Sequence, residues 1–120
     1  GARQDVPGLE MAGVVLSTGA RVTEHKPGDR VFGLLGGGGY AQRVALHGGM
    51  AVRIPERLSF AEAAAIPEVF ITAYDALFNW CNLQMGERVL VHAAGSGVGT
   101  AAVQLARCAG AFSFGTAGSG

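Results

Sequence analysis

Cysteine, charge and basic clusters are all scarce in this chain. Only two cysteines, Cys81 and Cys108, occur in 120 residues. That favours a reduced, cytosolic setting over a disulfide scaffold, because such scaffolds are cysteine-dense. Charged residues make up 15 %, nine basic against nine acidic. With zero net charge and no basic block, neither nucleic acid nor an anionic membrane surface is expected as the main partner. The first residue is Gly1 and no basic-then-apolar leader follows, so no signal segment is expected. Residues 89–106 lack formal charge, but His92, Ser96, Thr100, Gln104 and the glycines at 95, 97 and 99 interrupt the run. A buried strand and helix explain it better than a membrane span does. His25, His47, His92 and the two cysteines show no C-x-x-C or H-x-x-x-H spacing, so no metal site is expected.

Glycine, by contrast, is abundant: 20 residues, clustered at 36–39, 95–99 and the C-terminus. Hydrophobic residues make up 49 %, enough for a core at this length. Up to Pro55 the pattern is one of short β-type runs, "MAGVVLSTG", "DRVFGLL", "YAQRVAL" and "AVRIP". "EHKPGDR" places Pro27 and Gly28 at the centre of a tight turn, where proline fixes φ and glycine supplies a positive one. From Ser59 the period becomes helical. Ser59 and Glu62 form a capping-box pattern, and Pro67 divides one helix from the next. Phe78 and Trp80, which close this connection, are expected in the core. "QMGER" then turns the chain into a strand at Arg88 with an apolar run at 89–94, the glycine turn and a helix that Gly110 ends as a C-cap. The architecture is a β segment, a helical connection and the start of an α/β unit. It divides into residues 1–67 and 68–120, each too short to be a complete domain.

"RVLVHAAGSGVGTAAVQLARCAGA" carries the chemistry. Gly95, Gly97 and Gly99 do not match G-x-G-x-x-G, because Thr100 stands where the last glycine belongs. The context is stronger than the pattern. "VLVHAA" reads as a strand buried on both faces of a parallel sheet, and Gly99, Ala101 and Ala102 let the helix approach it closely. Backbone N–H groups at the turn would then face a pyrophosphate. The other reading is a glycine-rich turn that binds nothing. NAD sites place an acidic residue at the end of the following strand, yet none occurs after Glu87. Thr116, Gly118 and Ser119 stand there instead, which favours NADPH over NAD, unless no ribose is read here at all.

"PGLEMAGVV", "KPGDRVFGL", "GGYAQRV", "IPERLSFAEAAAIPEVFITAYDAL" and "GERVLVHAAGSGVGTAAVQLARCAGA" follow one another in a recognisable order and spacing. Over nearly its whole length the chain resembles the zinc-free NADPH:quinone oxidoreductases, the zeta-crystallin-like branch of the medium-chain dehydrogenase/reductase superfamily. The resemblance implies a partial GroES-like β-barrel followed by the first βα unit of a doubly wound Rossmann domain, with the cofactor between them. It implies a homo-oligomer when the protein is complete, and family strands that would precede Gly1. Ala94, Gly95, Ser96, Gly97, Val98 and Gly99 match the pyrophosphate loop. Thr72 matches a position near the nicotinamide, and Thr116, Gly118 and Ser119 match the adenosine-ribose end. Phe112 and Phe114 stand where aliphatics are usual. Zinc-dependent relatives carry Gly-His-Glu where this chain has Gly8-Leu9-Glu10; leucine offers zinc no donor.

Other residues keep two readings. Glu10 is either an acid catalyst or, the stronger expectation, a structural group bonded to backbone or an arginine. Tyr40 either lines a substrate pocket or packs as a strand aromatic, and His92 is expected as a satisfied core histidine. No catalytic constellation is evident, which suits hydride transfer carried by a cofactor. The leading expectation is an NADPH-dependent enzyme moving hydride to a quinone or enone. The alternative is a non-catalytic truncated relative, acting as a structural or interaction module or as a bare nucleotide binder.

Overall fold

The computed structural model describes residues 6–118, which fall into two units, one ending at Glu68 and one beginning at Val69. The first unit is built on an antiparallel sheet. Strand β1 (Glu10–Val14) pairs with β2 (Arg30–Leu34), Glu10 opposite Leu34 and Val14 opposite Arg30. β2 in turn pairs with β3 (Ala51–Arg53), Val31 opposite Arg53. Val31 and Gly33 alternate as buried positions along β2, the two-residue period of a half-buried strand. A turn at Lys26–Asp29 leads into β2. Asp29 N donates to Lys26 O at 3.1 Å, and Gly28 adopts φ +94°, which only glycine takes without strain.

Helix α1 (Phe60–Ala64) opens on the expected capping box: Ser59 Oγ accepts from Glu62 N, and the Glu62 carboxylate accepts from Ser59 N at 2.8 Å. The donation from Ser59 N and a second from Ser59 Oγ to Glu62 Oε2 at 2.8 Å, the backbone one first, hold the Glu62 carboxyl below its ordinary range. Helix α2 (Pro67–Tyr74) has Pro67 at its first position, where a missing N–H costs nothing. Glu10 Oε2 accepts the next free donor, Glu68 N, at 3.0 Å. Glu10 is thus bonded to backbone, the structural role expected of it.

In the second unit α2 continues into a π-type turn, Asp75–Trp80. Asp75 accepts from Asn79 Nδ2 at 2.8 Å and from Trp80 Nε1 at 2.9 Å, and these two bonds hold its carboxyl low. Strand β4 (Arg88–Val91), helix α3 (Gly97–Cys108) and strand β5 (Phe112–Gly115) follow, β4 and β5 paired in parallel. The core gathers Ala73, Leu77, Leu83, Ala101, Ala102 and Ala106, with Val69, Phe70, Val89 and Val91 against it. Helix α3 ends in a Schellman motif, as Gly110 N donates to Arg107 O and Ala111 N to Ala106 O, with Gly110 at φ +72°. Among the described residues no helix is long and apolar enough to cross a membrane.

Several expectations are corrected. "YAQRVAL" forms no strand, because Gly39 N and Tyr40 N bond to Gly8 O and Pro7 O instead of to a neighbouring strand. Alternation supplied the pattern but no ladder accepts it. Trp80 is 81 % exposed and not core, tied down by its indole N–H; Phe78 is partly buried, its ring 4.8 Å from that of Tyr74. β4 is not buried on both faces: Leu90 is 57 % exposed. Phe112 and Phe114, on the strand beside it, are also exposed. His92 is exposed rather than a core residue.

Candidate functional site

The turn from β4 into α3 begins with a residue that no pattern marks. Ala93 adopts φ +52°, a left-handed conformation that costs an alanine about 1–2 kcal/mol. It persists because its surroundings determine it. Ala93 N donates to Thr116 Oγ1 at 3.2 Å, and His92 Nδ1 lies at the same distance from that oxygen. Ala94 N donates to Thr116 O at 2.8 Å, and Thr116 N to Val91 O at 3.0 Å. Thr116, just past the end of β5, therefore bonds to four consecutive residues of the path out of β4.

Beyond Ala94 the backbone opens. Ser96 is the N-cap of α3: its Oγ accepts from Gly99 N at 3.0 Å, and its own N donates to Ala93 O. Thr100 Oγ1 donates to Gly97 O. Among the described residues, the N–H groups of Gly95, Gly97 and Val98 have no acceptor. All three residues are exposed, and the first turn of α3 holds no acidic side chain. Free donors and the positive end of a helix dipole together favour an anion at this position.

The glycines differ in purpose. A Cβ on Gly99 would strike the Ala93 carbonyl oxygen and come within 2.7 Å of Ala94 Cα, so this glycine lets α3 close on the turn. A Cβ on Gly97 would lie 3.1 Å from Val69 Cγ1 of α2, whereas one on Gly95 would meet nothing within 4 Å. The space above Gly95 is thus open to a ligand.

The remaining predicted residues are less concentrated. Thr72 is exposed on α2, one helical turn after Val69 and so on the same side of that helix as the residue that meets Gly97. Gly118 is exposed beyond β5; Ser119 lies outside the described residues. Tyr40 is 80 % exposed. The first unit holds a cavity of about 660 Å³ lined by Met11, Val15, His25, Gly39 and Leu46, and Tyr40 does not border it. Leu9 is half exposed, and the described residues contain no group of three His, Cys, Asp or Glu arranged to hold a metal ion. Ala93 and His92 were the residues that sequence reasoning missed as parts of the turn. Alanine carries no signal for a left-handed backbone, and His92 was marked only by its apolar neighbours.

Residues 2–56 match the family described as alcohol dehydrogenase GroES-like domain. The chain is 50 % identical over 113 residues to the pikromycin polyketide synthase component PikAII of Streptomyces venezuelae, covering 94 % of this chain and 3 % of that protein. Among solved structures it is similar to the CurK enoyl reductase, with TM-score 0.89 and 41 % identity over 96 % of this chain and 35 % of that one. It is also similar to the quinone oxidoreductase of Thermus thermophilus, solved alone and with NADPH. There the TM-score is 0.79 and the identity 43 %, over 94 % of this chain and 34 % of that one. The chain thus spans about a third of the length of these reductase structures and a small part of the synthase.

Proposed function

We propose that this chain is part of a zinc-independent, NADPH-dependent reductase of the medium-chain dehydrogenase/reductase superfamily, acting on a quinone or an enone, a reading supported by the match of residues 2–56 to the alcohol dehydrogenase GroES-like domain. The observation that carries the reading is the turn at 94–99, where three free N–H groups stand at the start of a helix without an acidic neighbour. In this reading the second unit is the opening of a Rossmann domain. Gly95, Gly97 and Val98 donate to the pyrophosphate, while Ser96 and Gly99 hold the turn in place. Thr72 borders the nicotinamide, and Gly118 and Ser119 border the ribose, where the lack of a carboxylate suits a 2′-phosphate.

When bound, the cofactor supplies a hydride for an electrophilic carbon or carbonyl of the substrate. The protein's part is to bind, orient and exclude water. Likeness to both a quinone oxidoreductase and an enoyl reductase supports an acceptor with a conjugated carbonyl, the feature those substrate classes share. Leucine at position 9 supports a reaction without zinc.

The test is to mix the full-length protein with NADPH and either a benzoquinone or an α,β-unsaturated thioester, and to follow the loss of NADPH absorbance. Oxidation with either acceptor supports the reading. NADPH binding without turnover supports the bare nucleotide binder instead, and failure to bind NADPH overturns both.

A further inference from the structure

The geometry points to Thr116 as a positioning residue that folds the phosphate-binding turn, rather than as a group that touches the cofactor's ribose. The assignment rests on reading the turn at 94–99 as a pyrophosphate cradle. It reaches past that reading by giving the end of β5 a task that the match of Thr116 to the ribose end does not include.

Three observations converge. First, Oγ1 is the only polar atom of the Thr116 side chain, and it is engaged by Ala93 N and His92 Nδ1, both at 3.2 Å. Second, the backbone of Thr116 is committed to the same segment, accepting from Ala94 N at 2.8 Å and donating to Val91 O at 3.0 Å. Third, the residue gripped by the hydroxyl is Ala93, which alone in this turn holds a left-handed backbone without being glycine. A strained conformation lasts only where its surroundings impose it. Ala93 N is held by Thr116 Oγ1, a side-chain acceptor. Since Ala93 and Ala94 set the direction in which the next amides leave β4, Thr116 governs where Gly95, Gly97 and Val98 point their free N–H groups.

The test compares Thr116→Val, which keeps the shape and removes the hydroxyl, with Thr116→Ser, which keeps it. The first readout needs no nucleotide. Hydrogen exchange in a peptide spanning residues 91–97 of the full-length protein is expected to accelerate about ten-fold in Thr116→Val, as for loss of one satisfied hydrogen bond. It is expected to return close to the wild-type rate in Thr116→Ser. Unchanged exchange in Thr116→Val overturns the assignment. The second readout is binding of NADPH and NADH. A positioning residue weakens both by the same factor, about ten-fold on the same scale, with rescue by serine. A ribose contact weakens NADPH selectively and also weakens adenosine 2′-phosphate, and that outcome overturns the assignment. A wild-type protein that binds neither nucleotide defeats the reductase reading, while the exchange experiment still decides what Thr116 does.

Discussion

The chain carries two glycine clusters of similar composition that fold to opposite ends. In the first cluster, Gly36–Gly39, the amides from Gly38 onward are committed internally: Gly38 N bonds to Val6 O, Gly39 N to Gly8 O and Tyr40 N to Pro7 O, each at 2.8–2.9 Å. Two chain segments lie so close that only glycine fits, since a Cβ on Gly39 would be 2.9 Å from the Gly8 carbonyl carbon. At Gly95–Gly99 the amides of Gly95, Gly97 and Val98 stay free among the described residues. The first cluster uses the missing side chain to bring backbone against backbone. The second uses it at Gly99 for packing and at Gly95 to leave room. Glycine content alone therefore does not mark a binding loop; at 95–99 three unpaired donors gather at the start of a helix, which the first cluster does not offer.

The largest effect is expected where a glycine has neither conformational nor spatial freedom. Gly8 adopts φ +107°, and a Cβ there would be 2.8 Å from Gly39 Cα and Tyr40 N. Gly8→Ala should destabilise the first unit by roughly 3–5 kcal/mol, combining backbone strain with a clash against main chain. Hydrogen exchange should then accelerate at Arg30–Leu34 and not at Gly97–Cys108. Equal loosening of α3 would mean that the two clusters are not independent.

Gly99→Ala comes next. The new Cβ meets the turn's own backbone at Ala93 and Ala94, so the helix must move away from it, at a cost of roughly 2–4 kcal/mol. NADPH affinity should fall with stability, because the start of α3 and the amides it presents shift together. A variant that unfolds more easily yet binds NADPH as before would separate packing from binding and remove Gly99 from the site.

These contrasts were partly legible in the sequence. Ser59, Glu62 and Pro67 announced α1 and α2 because capping and the missing proline N–H act locally, and the structure has both helices where those signals put them. The Lys26–Asp29 turn and Gly110 were legible for the same reason. "YAQRVAL" misled because alternation describes a face and not a partner, and a strand exists only where another strand accepts its bonds. Trp80 misled because a large aromatic suggests burial, whereas here its N–H reaches an exposed Asp75. The glycine turn was legible as a motif, but the Thr116 grip on Ala93 spans 23 residues and leaves no local trace.

Ser96→Ala is expected to cost about 1 kcal/mol, the usual loss for an N-cap hydroxyl. It also frees Gly99 N, adding a fourth unpaired amide to the turn. Thermal unfolding should register the lost cap. If NADPH affinity drops far more than stability does, Ser96 Oγ touches the nucleotide as well as the helix.

The smallest effect on the fold is expected at Gly95, and it separates the two clusters most cleanly. Nothing lies within 4 Å of a Cβ built there, and the residue is absent from the positive-φ glycines. Gly95→Ala should therefore leave stability within about 0.5 kcal/mol of wild type. If the open space above the turn is where a pyrophosphate lies, the added methyl occupies it and NADPH affinity falls while the unfolding midpoint holds. If affinity and midpoint both stay unchanged, the turn is a close-packed βα junction like the first cluster in purpose, and the free amides face only water.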